Sequence, residues 1–107
     1  MTSVFVGIDV GTTRVKAIAV DQRGAVCGES ERPTPWRHGR GGQAEIDPPV
    51  LARLAAHVAD RAAAVAVVDA RVAGIGVTGM AETGVLVDGR DRPLGPAIAW
   101  HDPRGDV

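Results

Sequence analysis

One short stretch of the chain concentrates side chains able to hold a charged ligand. In VFVGIDVGTTRVK, Val4 to Lys16, an apolar run ends on Asp9, and Gly11, Thr12 and Thr13 follow before a second strand-like stretch that carries Lys16. Glycine at that point tolerates unusual backbone angles and lets a ligand approach the main chain. A polyphosphate carrying Mg²⁺ wants backbone N–H groups and hydroxyls against its oxygens, with a carboxylate near the metal, directly or through water. The expected hairpin tip offers that set: Asp9 toward the metal, the open amides and hydroxyls of Gly11, Thr12 and Thr13 toward phosphate, and Lys16 beside them. Asp-x-Gly-Thr at a strand end is equally an ordinary hairpin turn, and spacing alone leaves both readings open.

A second cluster, Met80-Ala81-Glu82-Thr83-Gly84, follows a later apolar stretch. In open α/β sheets ligands bind outside the carboxyl ends of the strands, so Glu82 stands where a substrate hydroxyl could be held; a solvated loop glutamate is the competing reading. The remaining candidates carry less. His38, His57 and His101 show no metal-ligand spacing, and Cys27 lies within a strand as a small apolar residue would.

The elements that must position these residues follow from pattern. Val4 to Asp9 and Val15 to Val20 read as strands, and Asp21-Gln22-Arg23-Gly24 as a hairpin loop. Ala25 to Arg32 reads as a third strand, more polar at alternate positions and so nearer an edge. PTPWRHGRGG, Pro33 to Gly42, has no period and reads as a loop anchored by Trp36, with solvated charges at Arg37, His38 and Arg40. Asp47 followed by two prolines marks a helix start. That helix is expected to run to Val67, with Leu51, Leu54, Ala55, Val58, Ala62 and Val65 on its apolar face and His57 on its surface. Asp69 to Arg71 forms a connector, and Val72 to Thr78 returns as a strand parallel to the first, because a helical crossover precedes it. Val85 to Val87, a turn at Asp88-Gly89-Arg90-Asp91, and Pro96 to Trp100 read as a closing hairpin.

Composition narrows the classes. At 107 residues the chain is one domain or part of one. A net charge of -1 with scattered cations offers no field for nucleic acid. A single cysteine builds no disulfide framework, no stretch reaches the roughly 18 apolar residues a bilayer span needs, and no export signal opens the chain. A cytoplasmic protein away from membranes is the expectation. With one Phe, two Trp and no Tyr, the core must be built from small aliphatics, which stabilise a domain this small only weakly. One crossover helix also leaves one sheet face uncovered, so the chain reads as a piece of something larger.

Taken together, VGIDVGTTRVKAIAVD, GIGVTGMAETGVLVD and PAIAWHDPR resemble, in order and spacing, the opening of the FGGY family of carbohydrate kinases, which includes xylulokinases, glycerol kinases and gluconokinases. The resemblance implies an α/β, ribonuclease-H-like (actin-like ATPase) domain, a βββαβ mixed sheet plus a β-hairpin. Residues 1–107 would be an incomplete first portion of it, the second domain being absent. It implies ATP and Mg²⁺ as cofactors, with Asp9, Gly11, Thr12 and Thr13 at the phosphates, Asp9 at the metal and Lys16 near the transferred group. A sugar or polyol would meet Met80, Ala81 and Glu82, with Asp102 and Arg104 of the Trp-x-Asp-x-Arg segment on the sugar side of the cleft. Glu82 falls where glycerol kinases carry a glutamate and xylulokinases a histidine, while Ala81 replaces the arginine of the former. The substrate is therefore open, as is whether the full protein is a homodimer. No catalytic residue is assigned, since the family's base is an aspartate beyond this length, and the other partner implied is the remainder of the kinase chain. Two alternatives stand beside this: another actin-like kinase, such as an acetate kinase, against which Trp100 to Arg104 argues, and a non-catalytic remnant or sugar-binding module of the same fold.

Overall fold

The computed structural model describes residues 2–66 and 69–105, which divide into two compact units. The first comprises residues up to Thr34 together with Arg53–Gly79. Its strands are β1 (Thr2–Val10), β2 (Arg14–Val20), β3 (Val26–Pro33) and β6 (Ala70–Gly79), with helix α1 (Pro48–Ala66) between β3 and β6 in the chain. They form one sheet in the order β3-β2-β1-β6. β1 pairs antiparallel with β2 and parallel with β6, as a crossover through a helix requires. β3 is an edge strand, as its polar alternation predicts.

Period-two alternation sorts the sheet into two faces. Val4, Val6 and Ile8 of β1 and Val15, Ala17 and Ala19 of β2 are buried together with Val58 and Ala62 of α1. The other face carries Phe5, Gly7, Asp9, Lys16 and Ile18. Helix and sheet approach closely at Gly28, the cross-strand neighbour of Ala19, where a Cβ would lie 2.1 Å from the Ala62 carbonyl oxygen. Only glycine admits that approach.

Details of the helix depart from the sequence pattern. Val58 and Ala62 are buried and Ala66 is half-buried, whereas Val65, expected on the apolar face, is 52% exposed. The seam follows an i, i+4 row toward Gly28, and Ala66 lies on it where Val65 does not. The expected terminus at Val67 is outside the described residues. His57 is exposed, as expected. Cys27 is only half-buried and its thiol donates to the Ala19 carbonyl at 3.4 Å. β6 begins at Ala70, inside the stretch expected as a connector.

The second unit comprises Pro35–Ala52 and residues from Met80 onward. It contains a small sheet of β4 (Arg37–His38), β5 (Ala44–Ile46) and β7 (Ala97–Ile98), in that order, with Ala44, Ile46, Ala97 and Ala99 buried. The closing hairpin turns at Asp88–Asp91 as expected, but its arms join by isolated antiparallel bridges, Gly84 with Ile98 and Val87 with Pro93, in place of a continuous ladder. β7 finds its ladder partner in β5. The cause is composition, since Pro93 and Pro96 cannot donate to a ladder, whereas Ala44-Glu45-Ile46 supplies an alternating partner. The stretch Pro33 to Gly42 is mostly irregular, as expected, apart from the two-residue β4 and a 3-10 turn at Arg40–Gly42.

The Gly28 contact yields a stability test. Gly28→Ala forces a methyl group into the Ala62 carbonyl, and we expect a loss of about 1–3 kcal/mol, the usual cost of overpacking, read as a lower urea midpoint. Gly24→Ala meets nothing within 4 Å but sits at φ +82°, so its smaller loss reports backbone strain alone.

Candidate functional site

β1 runs through the centre of its sheet, and its residues from Phe5 to Val10 have a partner on both sides. Burial of Val6 and Ile8 toward α1 turns Gly7 and Asp9 to the opposite face. There Asp9 sits opposite Lys16 on β2 and opposite Thr78 on β6. These residues, with Gly7, Ile18 and Gly76, line an open concavity of about 590 Å³. Its floor is low because Gly7 and Gly76 lie side by side in the register and neither presents a side chain. Asp9 is exposed, and Lys16 Nζ lies 4.0 Å from Glu29 on β3.

The turn beyond Asp9 differs from expectation at one amide. The Gly11 N–H donates to the Arg14 carbonyl at 3.0 Å, closing the hairpin from inside, and is not open to a ligand. The same closure explains the glycine, because a Cβ there would stand 2.7 Å from that carbonyl oxygen. Thr13 is exposed and Thr12 half-buried. On its outer side the turn is held by Thr34, whose hydroxyl donates to the Gly11 carbonyl at 2.7 Å and whose N–H donates to the Thr13 carbonyl at 3.0 Å.

No group of three His, Cys, Asp or Glu side chains among the described residues could hold a metal alone. A lone exposed carboxylate beside a cation suits Mg²⁺, which binds one or two carboxylates and takes its other ligands from phosphates and waters. The arrangement does not suit a closed structural metal site.

In the second unit the loop after β6 runs through Met80, half-buried, to Ala81 and Glu82, both exposed. Glu82 takes φ 60°, the left-handed region uncommon for residues other than glycine, asparagine and aspartate. Thr83 Oγ1 accepts the Trp100 N–H at 3.0 Å, which ties the loop to the segment after β7. Trp100 is 54% exposed, and His101 lies edge-on between it and Trp36, with ring centroids 5.1 and 5.8 Å away.

Asp102 and Arg104 are engaged within the unit. The Asp102 side chain is fully sheltered; Oδ2 accepts the Ala44 N–H at 2.8 Å and Oδ1 the Arg104 N–H at 2.9 Å. The Arg104 guanidinium grips both oxygens, and its Nη1 lies 2.6 Å from Glu45 Oε2. Hydrogen bonds from Arg104, then from the Ala44 amide, hold the Asp102 carboxyl well below its ordinary 3.8 against the opposing effect of burial, and the Arg104 pKa is raised in turn. Glu45 is the member that sequence reading missed. The alternation Ala44-Glu45-Ile46 was the available signal, with its polar residue on the side away from the buried pair.

With this geometry in hand, known proteins provide the comparison. The profile of the FGGY family of carbohydrate kinases, N-terminal domain, matches residues 4–106. The chain belongs to that family. This FGGY domain is 32% identical to a glycerol kinase of Gloeobacter violaceus across 97% of its own length and 21% of that protein's. It is likewise 32% identical to a xylulose kinase of Bacillus subtilis, covering 92% of itself and 20% of the relative. Its coordinates superpose on a xylulose kinase from Rhodospirillum rubrum with a TM-score of 0.84 at 36% identity, over 94% of this chain and 21% of the other. A gluconate kinase from Lactobacillus acidophilus, 23% identical, shares the fold with a TM-score of 0.86 over 96% of this chain and 20% of that one. The ribonuclease-H-like, actin-like architecture is thereby established, and the chain spans about a fifth of the length of the relatives it matches. No helix among the described residues is long and apolar enough to cross a membrane.

The buried carboxylate carries a pH dependence. Because the folded Asp102 pKa lies below the unfolded value of 3.8, its stabilisation is complete above that value and is lost as pH falls below it. Asp88, lowered by hydrogen bonds from the Arg92 and Arg90 amides, acts in the same direction. We expect the urea midpoint to hold steady from about pH 6 to 5 and to drop below about pH 4. Asp102→Asn should lower the midpoint at pH 6 and flatten the acid drop.

Proposed function

We propose that this chain supplies the nucleotide-phosphate loop and part of the acceptor site of an ATP-dependent sugar or polyol kinase. The observation that carries the reading is Asp9, an exposed carboxylate beside Lys16 and Thr78 at a glycine-floored concavity. Family membership supplies the reaction class, and the geometry of the hairpin supports a phosphate role for it.

The reaction joins an acceptor hydroxyl oxygen to the γ-phosphorus while the bond from that phosphorus to the bridging oxygen of ADP breaks. Negative charge spreads over the transferred group. Lys16 offsets that charge on the phosphate side, the hydroxyls of Thr12 and Thr13 and the remaining turn amides orient the chain of phosphates, and Gly11 keeps the turn tight. Asp9 would hold Mg²⁺, directly or through water, and that ion would supply neutralisation of the phosphate charge.

Met80, Ala81 and Glu82 form the acceptor side. A glutamate that keeps φ 60°, at a cost of about 1 kcal/mol, is better explained by a ligand it serves than by its loop, which glycine would suit. Asp102 and Arg104 act on that side by shaping the Trp100-bearing segment. The acceptor proton must pass to a base, and no residue here is assigned that part, so the kinase needs groups from a longer polypeptide. The 107-residue chain by itself is proposed to be inactive toward sugars.

Equilibrium titration of the chain with ATP, with and without Mg²⁺, tests the hairpin. Asp9→Asn should weaken MgATP binding by about tenfold or more, the scale of a contact to a charged group, and leave metal-free ATP unchanged. An affinity indifferent to Mg²⁺ in the unaltered chain overturns the role of Asp9, and sugar-dependent ATP consumption by the isolated chain overturns its inactivity.

A further inference from the structure

Thr34 lies just past the end of β3, twenty-three residues from Gly11 in sequence, yet its hydroxyl reaches that residue's carbonyl. It is 7% exposed, one of two buried polar or charged residues in the described chain, and no sequence motif marks it. Its two bonds grip carbonyls on either side of Thr12: the hydroxyl takes Gly11 O at 2.7 Å and the amide takes Thr13 O at 3.0 Å. In a planar trans peptide the carbonyl and the following N–H point in opposite directions, and the described chain holds no cis peptide bond. Turning the Gly11 carbonyl toward Thr34 therefore turns the Thr12 N–H away from it. The Arg14 N–H is turned away likewise by the second bond.

We infer that Thr34 is a positioning residue for the phosphate loop: by holding the Gly11 and Thr13 carbonyls on one side, it presents the opposite edge of the Gly11–Arg14 turn to the nucleotide's phosphates. The inference rests on the reading of this hairpin as a phosphate site. Thr34 holds the turn from outside the hairpin, while within it the Gly11 N–H donates to the Arg14 carbonyl. That bond fixes the turn's inner edge, and the two bonds from Thr34 act on its peptide planes from the other side. Valine at position 34 keeps the shape and the main-chain bond but loses the hydroxyl donor, and serine restores it.

Two readouts on the full chain separate the possibilities. Amide hydrogen exchange without nucleotide reads the turn itself: Thr34→Val should speed exchange at the Gly11 and Thr34 amides by about fivefold, the value of one modest hydrogen bond. Strand amides at Ile8 and Ala17 should stay as in the parent, and Thr34→Ser should bring the turn back to within about twofold. No local change, or an equal rise at Ile8 and Ala17, overturns the inference. Titration with MgATP reads the consequence: Thr34→Val should weaken binding by about three- to tenfold and Thr34→Ser by less than about twofold. Equal affinity of the parent and Thr34→Val overturns the role toward nucleotide. If the parent chain fails to bind MgATP at all, the phosphate reading of the hairpin falls, and the role toward nucleotide falls with it, while the exchange data still decide whether Thr34 holds the turn.

Discussion

The two-residue period of β1 is the constraint on which the first unit depends. Val4, Val6 and Ile8 are drawn to the helix side by burial, and the pleat then forces Gly7 and Asp9 to the open side. A slip of one residue would carry Asp9 into an apolar interior and expose three branched side chains, so the register is strongly held. Both neighbours of β1 add to this, β2 antiparallel and β6 parallel. The candidate site is thus a by-product of core packing: the forces that bury the valines also lift the carboxylate into a shallow concavity beside a lysine.

Small residues decide how closely the layers approach. Gly28 admits the Ala62 carbonyl, and Ala17, Ala19 and Ala62 keep the helix seam narrow. The outer strand tells the other half. Ile75 and Val77, beside Val6 and Ile8 in the register, are 62% and 69% exposed. A core made from small aliphatics stabilises this unit with little surplus, and apolar side chains left in water at the sheet's edge add nothing to it.

In the second unit one carboxylate ties several segments together. Asp102 joins the β5 amide of Ala44 to its own turn and, through Arg104, to Glu45. Such a network is strong when every group is matched, and no described buried side-chain nitrogen or oxygen lacks a partner. Very short strands can persist there because a side chain supplies bonds that a longer ladder would otherwise provide.

Local pattern was enough for the strands from β1 to β3, for α1 and for the parallel return of β6, because alternation, turn glycines and the Asp-Pro-Pro start act over a few residues. Asp9, Thr13 and Lys16 could be placed at one hairpin for the same reason, and Glu82 in its loop. What only the tertiary structure decided depends on partners distant in the chain. The Gly11 amide turned inward, Thr34 came to hold the turn, β7 found its ladder partner in β5, and Asp102 found Ala44 fifty-eight residues away. Periodicity records which side of an element is buried; it carries no record of which distant donor will meet which acceptor, since that pairing exists only once folding has brought them together.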